Sequence, residues 1–404
     1  MGAEEPSTDA DGEVWETLVQ HFCRCVELTT DIFDMDAFLE SIPPTHPIEL
    51  SFASLTAFDA KLADFPCDTE HWFWQAIRFA PKLVRVDARF LLPTSSLPYH
   101  QLTHLKLGCL TDVYGEEFFD TLRVSENLRS ITISGIGVVG GSVAVDVAIP
   151  AIELPLLQSL IIDSSIDWGP AEVHDAFLTC LLTSLEMPSL RTFQLAFTDT
   201  RGESEVLWSS ALLAMLSRSS ASLRRLTLRI ECFRALLQPL SVLIQSTPHL
   251  TRFDLHVSGP DSPKLKSHSV DDYVASFLSA LESQVTLLPK LSSMLLQFEE
   301  SAHGAHTKVI DRMIKLASAR VKNSPSTATG VVPLTSLRLQ RLHGRSLPTF
   351  FPSQDVTEGI MALKELGVTV DIKDAQGFFS ELTADEEGPE YVPELILFPG
   401  FKTY

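Results

Sequence analysis

The sequence predicts an α/β solenoid, with a curved parallel sheet lining one face and helices covering the other. Three observations predict it. One short pattern, apolar-x-x-apolar-x-apolar, returns from end to end of the 404-residue chain. Its copies begin about 19 to 43 residues apart, most of them near 30, which is the spacing of a repeat array with occasional insertions. Between copies lie stretches whose apolar residues fall at helical spacing.

In order, the copies read Leu55-x-x-Phe58-x-Ala60, Leu83-x-x-Val86-x-Ala88, Leu102-x-x-Leu105-x-Leu107 and Leu128-x-x-Ile131-x-Ile133. Next come Leu157-x-x-Leu160-x-Ile162, Leu190-x-x-Phe193-x-Leu195, Leu223-x-x-Leu226-x-Leu228 and Leu250-x-x-Phe253-x-Leu255. Leu291-x-x-Met294-x-Leu296, Leu334-x-x-Leu337-x-Leu339 and Leu363-x-x-Leu366-x-Val368 complete the series, and a weaker first copy reads Cys23-x-x-Val26-x-Leu28. The alternating end of each copy is a strand with one buried face.

Helices are expected in "EHWFWQAIRFAPKL", through Trp72, Trp74, Ile77 and Phe79, and in "PAEVHDAFLTCLLTSL", through Val173, Phe177, Leu178, Leu181 and Leu182. The same spacing appears in "SEVLWSSALLAMLSRS", "ALLQPLSVLIQSTPHL", "DDYVASFLSALESQV" and "KVIDRMIKLASARV". Pro81, Pro188, Pro248 and Pro289 stop helices ahead of the next strand. A unit of strand, turn, helix and turn buries neither of its faces alone, so the units must stack.

The array is expected over residues 21–375, after an acidic, disordered N-terminus of residues 1–20. Residues 376–404 leave the period, and Phe378, Phe379, Ile396, Leu397 and Phe398 are expected to cap the last unit. The Pro/Ser-rich insertions Ser258–Ser269 and Lys322–Gly330 explain the two longest spacings.

A net charge of −21 argues against nucleic-acid partners, whose phosphates need Lys/Arg clusters, and against anionic membranes. No run of about 18 apolar residues appears, so no membrane span is expected. The six cysteines stand mostly alone among apolar residues, and no secretory signal precedes them. They read as reduced thiols of a cytoplasmic or nuclear protein.

The array resembles the leucine-rich-repeat region of fungal, basidiomycete-type F-box proteins. The stretch from Phe79 to Ser134 carries the resemblance best, with its apolar-Pro-x-Leu strand start, its "LPYHQLTHL" segment and its "LRVSENL" helix exit. The resemblance implies a substrate-recognition module of a ubiquitin ligase, with a cullin-ligase adaptor among its partners. Two departures qualify it. Asn127 and Asn323 are the only asparagines, and neither follows a strand, so the Asn ladder of regular repeats is replaced by irregular turns. No Leu-Pro-led F-box is recognisable ahead of the first strand. The alternative is a free-standing scaffold or regulatory repeat protein with no ligase link.

Enzyme chemistry finds no support, and no cofactor is expected. Gly135-x-Gly137-x-x-Gly140, with Asp163 further on, has the outline of a dinucleotide fingerprint. The following "GSVAVDVAIPAIELP" is broken by Pro150 and Pro155 and rich in valine, so the helix that would face a pyrophosphate is not expected, and the glycines read as a turn. His303 with His306 reads as a polar loop; Cys23 and Cys25 beside His21 read as a strand-like stretch. Each group is short of a four-ligand zinc set, so no metal is expected. His100 and His104 straddle a strand start, and Asp271-Asp272 suits a helix N-terminus.

The site candidates follow from strand parity: residues between the pattern positions face away from the core, onto the concave surface such arrays use for binding. They include Arg85, Asp87, His104, Lys106, Thr192, Gln194, Thr227, Gln297, Arg338 and Gln340. Basic residues are densest at Arg225, Arg229 and Arg252, with Asp254 and His256 beside them. The expectation is that Arg225, Arg229 and Arg252, with His256, contact an acidic segment of a protein partner, and that Asp254, His104 and Lys106 share the candidate partner-binding face. The competing reading pairs the arginines with Asp254 and Glu231.

Overall fold

The computed structural model describes residues 17, 20–30, 39, 52–60, 70–92, 94–108, 110–111, 115–137, 150–164, 167–168, 171–197, 208–219, 222–230, 247–257, 270–284, 286–299, 307–323, 331–342 and 354–373. The acidic N-terminus, the helix expected at "ALLQPLSVLIQ", both Pro/Ser-rich insertions for the most part and the expected C-terminal cap lie outside these residues.

Chain order begins β1 (Glu27–Thr29), β2 (Ala57–Ala60), α1 (Trp72–Arg78), β3 (Arg85–Ala88), β4 (His104–Leu107), β5 (Leu110–Thr111), α2 (Gly115–Val124), β6 (Ser130–Ile133) and β7 (Ile136–Gly137). It continues with β8 (Ile152–Glu153), β9 (Ser159–Ser164), β10 (Asp167–Trp168), α3 (Ala171–Ser184), β11 (Leu185–Glu186), β12 (Thr192–Phe197), α4 (Trp208–Arg218) and β13 (Arg225–Ile230). Last come β14 (Arg252–Val257), α5 (Val270–Ser283), β15 (Ser293–Glu299), α6 (Thr307–Asn323), β16 (Ser336–Leu342), α7 (Gln354–Glu365) and β17 (Thr369–Lys373).

The protein is α/β. Its main sheet has 12 parallel strands that follow one another in chain order: β1, β2, β3, β4, β6, β9, and then β12 to β17. The apolar pattern lies in register across it, with Leu160, Phe193, Leu226, Phe253, Met294 and Leu337 opposite one another. All six are buried, together with the leucine that opens each of their copies. Helix residues Phe118, Phe177, Leu212, Phe277 and Leu316 join the same core. The helices therefore cover the apolar face of the sheet, while the alternate residues form the other face.

A second buried row lies three residues before nine of the opening leucines. Phe52, Ala80, Tyr99, Ser125, Leu154, Met187, Thr247, Leu288 and Val331 occupy it. Most of these carbonyls accept the leucine N–H, as in Leu190 to Met187 at 3.1 Å, Leu250 to Thr247 at 3.2 Å and Leu291 to Leu288 at 3.0 Å. The link is a β-turn, and Pro81, Pro155, Pro188, Pro248 and Pro289 stand at its second position, where a fixed φ is an advantage. The described helices end short of these prolines, so proline shapes the strand start more than the helix stop.

Immediately after the opening leucine, one carbonyl per strand accepts two N–H groups from the next strand. Arg224 takes Thr251 at 2.8 Å and Arg252 at 3.0 Å, and Thr251 in turn takes Ser292 at 2.9 Å and Ser293 at 3.0 Å. Hydroxyls of Thr56, Thr103, Thr251, Ser292 and Thr335 donate to the same carbonyls. In place of a continuous Asn ladder, side chains of several types cross from one unit to the turn of the one before it. Gln101 reaches the carbonyls of Ala80 and Leu83, and Asn127 that of His100. Arg218 reaches those of Leu182, Thr183 and Leu185. Arg320, 1% exposed, donates to the carbonyls of Leu287, Leu288, Pro289, Leu291 and Val332. Burial pushes its guanidinium down to about 10, which leaves it charged at neutral pH.

Both ends of the pattern need correction. Strand pairing sets Leu28 opposite Phe58, so the first copy reads Cys25, Leu28, Thr30, with Val26 exposed. Pairing of Val370 with Leu337 makes the last copy Gly367, Val370, Ile372; Leu363 closes α7, and Leu366 is exposed in the turn. Phe79, expected on the buried face of α1, caps that helix and is also exposed. Gly137 is not a turn: it lies in β7, between Thr111 of β5 and Trp168 of β10 in a small parallel ladder. Gly140 lies outside the described residues. Cys23 lies in a short 3-10 helix rather than a strand, and Cys25 follows it.

At the end of α7, Gly367 adopts φ 79°. Its N–H donates to the Lys364 carbonyl, and Val368 N–H to that of Leu363. This is the Schellman arrangement, closed by the buried pair Leu363 and Val368. An added Cβ meets nothing within 4 Å, so its cost is backbone strain alone. Gly367→Ala is expected to lower stability by about 1 kcal/mol in urea denaturation. Arg320→Leu, which leaves buried carbonyls of the turn without their donor, is expected to cost about 3 kcal/mol or more by the same measurement.

Candidate functional site

Because side chains alternate along a strand, pairing carries each residue of the uncovered sheet face into a row across strands. One row includes Arg85, His104, Ser130, Ser159, Thr192, Arg225, Arg252, Ser293 and Ser336. A second includes Asp87, Lys106, Thr132, Ile161, Gln194, Thr227, Asp254, Leu295 and Arg338. A third includes Asp163, Ala196, Arg229, His256 and Gln297. The expected site residues of β13 and β14 therefore meet. His104 and Lys106 on β4 lie four strand steps from β13, about 19 Å at the usual spacing, and belong to a separate group.

Asp254 organises the β13–β14 group. Its carboxylate is buried and accepts from Arg225 Nη2 at 3.2 Å and from Arg252 Nε at 2.9 Å and 3.1 Å. Thr227 Oγ1 lies 3.5 Å from the same carboxylate. A buried carboxylate requires such partners, so Arg225 and Arg252 are structural counter-ions as well as surface cations. The reading that pairs them with Asp254 holds for this acid, and Glu231 lies outside the described residues. Charge reversal at Arg225 and Arg252 would consequently disturb the fold together with any binding.

Burial pulls His256 down to about 4; Asp254 opposes that shift, while Arg229 and Arg225 add to it. It is a neutral ring at physiological pH, not a cation. In the other group, Lys106 Nζ pairs with Asp87 at 3.1 Å and Arg85 with Glu27 at 2.8 Å. His104 Nδ1 lies 2.8 Å from Thr103 Oγ1, and burial, then Arg85 and Arg129, hold its pKa below the usual value.

Sequence reasoning missed the arginines placed just before the strands. Arg191 and Arg224 are exposed, and with Pro188, Ser189 and Ser222 they line a shallow depression at the strand starts of β12 and β13. The signal was present: Arg follows the opening leucine at Leu128-Arg129, Leu190-Arg191 and Leu223-Arg224.

Among the described residues no three His, Cys, Asp or Glu side chains converge as metal ligands. Cys23, Cys25 and Cys180 carry no disulfide, and burial raises the thiol pKa of Cys25 and Cys180. His303 and His306 lie outside the described residues; Asp271 and Asp272 fall in the first turn of α5. No described helix is long and apolar enough to cross a membrane. The chain matches neither a protein-family model nor a curated protein.

His256 supplies a pH test. Its folded pKa lies below the unfolded value of about 6.5, so stability is full above that value and declines as pH falls toward 4. Between pH 7 and pH 5 the expected loss attributable to this ring is about 2 kcal/mol. Urea midpoints of the wild type and of His256→Gln at the two pH values check it, since the substitution removes this part of the decline and leaves that of His104.

Proposed function

We propose that this chain is a non-catalytic protein-binding module, built as a leucine-rich-repeat solenoid and comparable to the substrate-recognition part of an F-box ubiquitin-ligase adaptor. The observation that carries the reading is the main sheet: 12 parallel strands in chain order, with helices packed on one face and polar rows along the other. Such a surface is long, continuous and made of side chains on rigid strands, and arrays of this kind bind macromolecules along it. In a leucine-rich-repeat solenoid this would be the concave face. The pattern apolar-Pro-x-Leu, which forms the strand-start turn, is also one of the three motifs on which the resemblance to F-box proteins rests. The ubiquitin-ligase role rests on that resemblance alone, whereas the sheet also supports the binding role.

Affinity purification of the tagged full chain from its native cells, with mass spectrometry of what accompanies it, tests both parts. The cullin-ligase adaptor subunit is expected in near-stoichiometric amount together with a substrate protein. Recovery of a stable partner without that adaptor removes the ligase role and leaves a free-standing scaffold. Recovery of the chain alone, at native expression and low salt, removes the binding role.

A further inference from the structure

We infer that the strand-start end of β12 to β14 is the recognition site for an extended Asp/Glu-rich segment of a protein partner, held by Arg191, Arg224, Arg225 and Arg252. The inference rests on the protein-binding reading above and specifies its partner. The chain carries a net charge of −21, yet four arginines stand at the starts of three neighbouring strands here. Arg224 N–H donates to the Arg191 carbonyl at 2.8 Å, so these two side chains start one strand step apart. Arg225 and Arg252 lie directly opposite each other in the adjoining row. In those two rows, over these strands, no acid is present; buried Asp254 stands in the next row, and exposed Glu186 lies upstream, two residues before Pro188.

Asp254 is what makes the group a clamp. It engages Arg252 through Nε and Arg225 through Nη2. The two arginine side chains remain 33% and 36% exposed, while that of Asp254 is 2% exposed. The buried acid fixes both guanidiniums in advance, so a ligand carboxylate pays little of their ordering entropy. Terminal nitrogens of Arg252 and Nη1 of Arg225 are not used in these bonds and suit carboxylate oxygens. Arg191 and Arg224, each one residue ahead of the row that holds Arg225 and Arg252, line the depression with Pro188, Ser189 and Ser222 and extend the site to the strand starts.

The rest of the chain selects the size of the ligand. A polyanion such as nucleic acid would pass over the acidic remainder of the surface and be repelled. A short acidic segment lying on these arginines is shielded from charges beyond about 10 Å at 0.1 M salt. Its carboxylates meet the local positive field and little else.

The test is fluorescence anisotropy with the full chain and a short labelled peptide of alternating Glu and Ala. Saturable binding that weakens as salt is raised is expected. Arg191→Glu, an exposed position, should reduce affinity about tenfold without moving the urea midpoint, and Arg338→Glu on distant β16 should leave affinity unchanged. Absence of saturable binding overturns the inference, as does equal binding of a Lys/Ala peptide or undiminished binding to Arg191→Glu. Binding of a phosphoserine peptide in preference to the Glu peptide overturns the choice of carboxylate. If the peptide binds only when Asp385, Glu386 and Glu387 of the full chain are neutralised to Asn and Gln, the occupant is the chain's own segment and the partner falls. A partner that co-purifies equally with wild type and Arg191→Glu leaves the protein-binding reading standing and removes this site alone.

Discussion

A single carbonyl at the start of each strand, accepting two N–H groups from the strand beyond it, sets the geometry on which everything else depends. From Val26 to Ser292 this two-to-one bond fixes where every strand begins relative to its neighbour. A slip by one residue would turn each apolar row outward and bury the polar one. The β-turn just upstream prevents that slip. In five of these turns a proline fixes the approach of the chain, and the first residue is buried, so the turn cannot slide without exposing a buried group or stranding a carbonyl. Register is therefore anchored at the strand start, where bonds and burial coincide, and the short strands downstream inherit it.

That anchor explains which parts of the fold were legible in the sequence. The apolar-x-x-apolar-x-apolar pattern is a direct image of the strand and its opening leucine, and ten of its copies fall where the periodicity puts them. The terminal copies were misread for a physical reason: an end unit has only one neighbour, so its sequence is less constrained. At the start, Val26 resembles a core residue but occupies the exposed position after the opening one, which Cys25 fills. At the end, Leu363 and Leu366 belong to the helix and its turn, and a glycine takes the leucine's place because the chain there needs a positive φ. The second buried row escaped notice because its members range from Phe52 to Ser125. No single residue type marks it, since the shared requirement is a carbonyl in the right place.

The turns show how one structural need is met by different chemistry. Regular Asn ladders satisfy buried turn carbonyls with one residue type; here Gln101, Asn127, Arg218 and Arg320 each supply donors to the turn of the preceding unit. Arginine is a costly substitute, because burial disfavours its charge, and it is workable only where several carbonyls converge. Arg320 meets that condition with five. Longer donors also reach further than asparagine, which lets the connecting segments vary in length while the turn stays fixed. Irregular spacing in the sequence and long-reach donors in the structure are thus two sides of one arrangement.

The open face follows a different logic from the core, and its candidate site was only partly legible. Parity placed Arg225, Arg229, Arg252, Asp254 and His256 together, but it could not distinguish their roles. Burial decides those: Asp254 is inside and needs counter-ions, which draws Arg225 and Arg252 down to it, and the desolvated His256 remains neutral. A residue can be fixed as a counter-ion and still recognise a ligand, provided its remaining donors face outward at no further ordering cost. In the proposed site the buried acid would be an aid to recognition rather than a competitor for the arginines. Two further arginines stand at the strand starts, where Arg191 and Arg224 belong to the same carbonyl ladder that sets the register. The bond that aligns the strands therefore also determines the spacing of the cations at their edge.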